Sequence, residues 1–194
     1  MGYSTTGEAE QKKRGLNDSR AHEFFENGRR IVEATLVQQP AQRIFEFWRN
    51  FENLPQFMQH LEKVQAFDDG RSRWCAKAPA GTTIEWDAEI INEKPGELIA
   101  WRSLSGSEVQ NAGSVRFIDR GRRGTEVRVT MEFVPPAGKL GELMARITGE
   151  HPQHQVRSDL RRLRQLLETG EIPTTLGQPS GRDDDKVEEK EETR

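Results

Sequence analysis

The sequence has a single cysteine, Cys75, and a single tyrosine. One cysteine excludes an intramolecular disulfide and a cysteine-built zinc site. No run approaches the roughly 18 consecutive apolar residues of a membrane-spanning helix. The opening stretch "MGYSTTGEAEQKKRGLNDSR" lacks the apolar segment of a secretory signal. These absences predict a soluble, cytoplasmic protein. Charge of one sign is missing too. Net charge is +2 over residues 29–170, −1 before them and −4 after them. A nearly balanced domain with an acidic tail has no field to gather nucleic acid, so no nucleic-acid partner is expected.

Apolar residues are concentrated: 54 fall in 29–170, against 7 in 1–28 and 3 in 171–194. That distribution predicts a flexible segment over 1–28, one folded domain over 29–170 and a disordered acidic tail over 171–194.

Within the domain, "RRIVEATLVQQP" reads as a strand ended by Pro40 at a helix start. Ile44, Phe45, Trp48, Phe51 and Leu54 then recur at helical steps until Pro55. A second short helical turn carrying Phe57, Met58 and Leu61 is expected beyond it. From Val64 the period becomes two, with turn signals such as "DDG", "PAG", "KPG" and "SGS" between runs. Ile84, Trp86, Ala88 and Ile90 share one face of such a strand, as do Val127, Val129, Met131 and Phe133. A stripe of Leu140, Leu143, Met144 and Ile147 suggests another helix. Pro152 opens a longer one with Val156, Leu160, Leu163, Leu166 and Leu167, ended by Gly170.

In this order of elements, "FWRNFENLPQFM", "WCAKAPAGTTIEWDAEI", "PGELIAWRSL", "NAGSVRF" and "GTEVRV" resemble the START-like (SRPBCC) superfamily. The resemblance is to its bacterial polyketide cyclase/dehydrase and coenzyme Q-binding type of domain. It implies an α+β helix-grip fold, with a curved antiparallel sheet of about seven strands wrapped around a long helix and two short helices after the first strand. It also implies a hydrophobic cavity between sheet and helix that takes a quinone, lipid or polyketide-like aromatic. Lining residues expected on that fold are Phe57, Met58, Trp74, Trp86, Trp101, Phe117, Met131, Leu160 and Leu163. Phe57 and Met58, placed after the Pro55 break, are expected to form a lid, while Phe45 and Trp48 are structural.

Chemistry-bearing residues are few. Glu85, Asp87 and Glu89 share a strand face, but it opposes the apolar one and should be watered. His151 and His154 are spaced for one helical face, with no third ligand nearby. Cys75 reads as a buried small hydrophobe, and Arg157, Arg161, Arg162 and Arg164 as a solvated basic helix face. No nucleophile elbow or phosphate loop is present. No catalytic residue, metal or cofactor is therefore assigned. The sequence favours binding or carriage of a hydrophobic small molecule. A cyclase/dehydratase activity, or docking of a macromolecular partner through the aromatic cap or basic helix, are the alternatives.

Overall fold

Residues 28–78, 81–134 and 152–171 are described by the structure, a computed structural model. The expected disordered ends and the Leu140–Ile147 stripe lie outside these residues, apart from Gly28 and Glu171.

β-Branched residues of "RRIVEATLV" form β1 (Arg29–Val37). Pro40, at φ −61°, caps the start of α1 (Ala41–Arg49), which turns Ile44, Phe45 and Trp48 inward. The chain then tightens into a 3₁₀ helix, Phe51–Gln56, with Pro55 inside it and Phe51 and Leu54 buried. This differs from the expected order. The second helical turn precedes Phe57 instead of carrying it, and Leu61 opens a strand. Pro55 is tolerated as the second residue of the turn from Leu54 to Phe57, which is closed by the Phe57 N–H on the Leu54 carbonyl at 3.1 Å and needs no N–H from the proline.

Six strands follow: β2 (Leu61–Ala66), β3 (Arg71–Lys77), β4 (Thr83–Lys94), β5 (Leu98–Ser103), β6 (Asn111–Asp119) and β7 (Thr125–Phe133). All seven strands form one sheet in the order β1-β7-β6-β5-β4-β3-β2. Each neighbouring pair is antiparallel. The register shifts between Ile90 and Asn92 where β4 meets β5. Such a bulge adds local twist and bends the strand. The sheet is curled, and α2 (Pro152–Thr169) lies in its grip, packed chiefly on β1. Gly170 follows at φ 78°, and its N–H bonds the Leu166 carbonyl at 2.9 Å. That is the expected glycine stop. The α+β helix-grip fold is therefore present.

The two faces of the sheet differ as alternation requires. Trp74, Ala76, Ile84, Ala88, Val127 and Val129 are buried on the concave face. Convex-face carboxylates pair across strands, Asp87 with Arg73 and Glu89 with Arg102. Glu132 departs from this pattern, being buried although it alternates with the inward residues of β7. Cys75 also differs from expectation. It alternates against the buried Trp74 and Ala76 and is only half-buried. Among the described residues no helix is long and apolar enough to cross a membrane.

Candidate functional site

Between the concave face and the first half of α2 lies a cavity of about 150 Å³. One end of the curled sheet is closed by α1. There Phe117 meets Phe45 edge-on at 5.8 Å and Trp48 at 6.3 Å. Phe117 is consequently core, as is the fully buried Leu163. Neither lines the cavity, contrary to the expectation for both. Strand alternation and helical periodicity give a residue's face but not its depth along the sheet, and both residues lie toward the plugged end.

The remaining expected residues Phe57, Met58, Trp74, Trp86, Trp101, Met131 and Leu160 all border the cavity. Trp74 and Trp86 sit opposite each other on β3 and β4, and their rings stack at 5.9 Å with an 18° interplanar angle. Trp74 Nε1 donates to Ser72 Oγ at 2.9 Å, leaving its ring face for packing. Trp101 lies against Gly113. A Cβ there would come within 2.6 Å of Trp101 Cζ2 and 2.8 Å of the Thr130 carbonyl, so only glycine lets the indole lie this close to the strand. Trp101 Nε1 donates to Asn111 Oδ1 at 3.2 Å.

Phe57 is not a lid. Its ring is fully buried against Trp48 at 5.4 Å and Phe47 at 6.2 Å. Its carbonyl accepts Arg162 Nε at 2.7 Å. The half-buried Met58 is left at the rim.

The polar end of the site was not anticipated. His60, just before β2, and Asp159, on α2, both border the cavity. Asp159 Oδ1 accepts from Gln155 Nε2 at 2.9 Å and from Arg162, whose guanidinium thereby ties α2 to the Phe57 backbone. His60 Nδ1 lies 3.6 Å from Asp159 Oδ2, too long for a hydrogen bond, and is buried with no partner. Burial pushes the His60 imidazole down to about 4, helped by the Arg162 and Lys77 charges. It is neutral at pH 7, so the pair is no salt bridge there. Burial pushes the Asp159 carboxyl up to about 7 against the opposing pull of Arg162 and Gln155. The signal available for Asp159 was a charged residue interrupting the apolar stripe between Val156 and Leu163. For His60 there was none, since it falls between elements.

Arg162 therefore does not belong to a solvated basic face. Its neighbours are engaged as well: Arg157 with Glu33, Arg164 with Glu168 and Arg161 with Ser158. His154 is exposed, and its expected companion His151 lies outside the described residues. Among the described residues no group of three His, Cys, Asp or Glu side chains is placed to hold a metal.

Residues 37–161 match the family described as polyketide cyclase/dehydrase and lipid transport. An uncharacterised 17.2 kDa protein of Streptomyces lincolnensis is 29% identical over 141 residues, covering 72% of this chain and 89% of that protein. A solved Deinococcus radiodurans structural-genomics target is 36% identical, with TM-score 0.59, covering 74% of this chain and 100% of that one. The solved Zhui aromatase/cyclase of a Streptomyces strain shares the fold at 17% identity and TM-score 0.57. It covers 74% of this chain and 98% of its own.

Proposed function

This chain belongs to the polyketide cyclase/dehydrase and lipid transport family, and from that premise we propose that it binds a small aromatic molecule, a quinone or polyketide-like ring system, in the cavity between sheet and α2. The observation that carries the reading is the cavity wall itself. Trp48, Phe51, Trp74, Trp86 and Trp101 surround a space of about 150 Å³, the size of apolar cavity that takes up benzene. Flat rings against flat rings favour an aromatic ligand over an acyl chain. Binding is driven by removing apolar surface from water, at about 25 cal/mol per Å².

The test is a titration of the full chain with 1,4-naphthoquinone, which quenches nearby indole emission. Saturable quenching that disappears in Ala76→Phe, a substitution that fills the cavity, is the expected result. Linear, unsaturable quenching that is identical in both proteins defeats the reading.

One observation favours a second reading, a cyclase or dehydratase. A neutral His60 is able to accept a proton and the perturbed Asp159 to donate or accept one, and both border the cavity. The Zhui relative is named as an aromatase/cyclase. Conversion of a poly-β-keto thioester by the wild-type chain, abolished in Asp159→Asn, supports this reading. No conversion by the wild-type chain removes it.

A further inference from the structure

Among the described residues, the polar side chains bordering the cavity apart from Asn111 and Gln155 are His60, just before β2, and Asp159, on α2. Asp159 Oδ1 is occupied by Gln155 and Arg162. Oδ2 faces His60 Nδ1 across 3.6 Å, and that nitrogen is buried without a partner. Buried polar atoms are nearly always hydrogen-bonded, so a nitrogen left without a partner beside a cavity calls for a group that enters the cavity to satisfy it.

We infer that His60 Nδ1 and Asp159 Oδ2 together receive one hydroxyl group, so that the ligand of this site is a phenol or enol, an aromatic or conjugated ring carrying O–H. This rests on the reading of the cavity as an aromatic-binding site and adds the ligand's polar group to it. Two atoms 3.6 Å apart can share one oxygen, each within hydrogen-bond distance of it, and both residues border the cavity. A hydroxyl donates one hydrogen bond and accepts others, so it satisfies a donor and an acceptor together. When Asp159 is ionised the hydroxyl donates to Oδ2 and accepts from the imidazole N–H. When Asp159 is protonated the two directions reverse.

Competing groups fit less well. A ketone or ether oxygen only accepts, which leaves one acceptor facing another when Asp159 is charged. A ligand carboxylate meets the Asp159 charge itself. A ligand ammonium meets Arg162 on α2 and Lys77 on β3, the cations that bear on His60. Elsewhere the wall offers Trp86, Trp101, Val129 and Met131, which suit the ring.

Three probes of similar shape isolate the hydroxyl: p-cresol, p-xylene, in which methyl replaces hydroxyl at nearly equal volume, and 4-methylanisole. Binding to the full chain is measured by calorimetry, with the tryptophan indole N–H resonances locating each probe. Because p-xylene is the most apolar, a cavity that merely excludes water prefers it. The expected result is p-cresol binding at least about tenfold more tightly than either analogue, the size of one well-made buried hydrogen-bond pair. His60→Phe and Asp159→Leu should each bring p-cresol and p-xylene within about twofold of one another while p-xylene still binds. If p-xylene binds the wild-type protein as tightly as p-cresol or better, the hydroxyl receptor is overturned and the aromatic cavity stands. If none of the three moves an indole resonance, the cavity reading falls and takes the inference with it.

Discussion

Gly113 has space for a hydrogen where any other residue would place a carbon against Trp101 and the Thr130 carbonyl. Gly113→Ala should destabilise by about 1–3 kcal/mol, the cost of overpacking a tight site, and should shift Trp101 emission. Thermal and denaturant melts with emission spectra check both. Phe57 and Met58 should separate in the same melts. Phe57→Ala removes a fully buried ring and should cost about 3–5 kcal/mol, whereas Met58→Ala should cost much less and mainly alter ligand uptake. The buried pair makes a sharper prediction. His60 has a folded pKa lowered from 6.5 to about 4, so its contribution to stability is present above pH 6.5 and is lost as pH falls toward 4. Asp159 is raised from 3.8 to about 7, so its contribution is present below pH 3.8 and is lost as pH rises toward 7. The charged groups facing them are Arg162 from α2 and Lys77 from β3. Between pH 4 and 6.5 the two slopes oppose each other in the wild-type chain. Asp159→Asn should therefore lose stability, relative to wild type, as pH falls, and His60→Gln as pH rises; parallel pH profiles for all three proteins would show that the pair is not buried in this way. Strand alternation placed Trp86 and Met131 on the inward face, and the resembled fold put a cavity there. Asp159 was not, because its carboxylate is kept on an apolar stripe by Arg162 and Gln155, partners that a helix pattern does not display as such.

At the level of elements, α2 is what the sheet grips, and Leu160 and Leu163 are its most deeply buried side chains along with Asp159. Leu160→Ala and Leu163→Ala should each destabilise by roughly 2–5 kcal/mol. They should differ in function, because Leu160 borders the cavity and Leu163 does not. Leu160→Ala enlarges the site and changes its affinity for ring compounds, while Leu163→Ala leaves affinity unchanged in the fraction that is folded. Equal affinity changes in both, measured by calorimetry below their melting temperatures, would show that the cavity boundary along α2 is misplaced. The seven strands and α2 were legible because period-two alternation, turn residues and the Pro152 and Gly170 boundaries agree with one another. The segment after α1 was misread because Pro55 looks like the end of a helix, whereas a 3₁₀ turn runs through it and delivers Phe57 into the core. The shift in register at Ile90–Asn92 leaves Ile91 40% exposed. Nothing in the apolar run Ile90-Ile91 distinguishes the bulged residue from its neighbour.

Across the whole molecule, the curled sheet is plugged at one end by aromatic packing around α1 and left hollow beside the first half of α2. Where the plug ends decides what is core and what is site: Phe45 and Phe117 pack on each other, Trp48 packs on Phe117 and also borders the cavity, and Trp74, Trp86 and Trp101 face open space. The sequence supplied the residues of both groups, and their division followed only from the position of α1. The central claim is that this space holds an aromatic small molecule. Native mass spectrometry of the full chain, purified gently from the cells that make it, tests that most directly. Wild-type protein should carry a ring-bearing small molecule that dissociates on activation, and Ala76→Phe protein prepared in parallel should carry none. The same bare mass for both, with wild-type protein also failing to acquire any aromatic compound from a cell extract, would contradict the account.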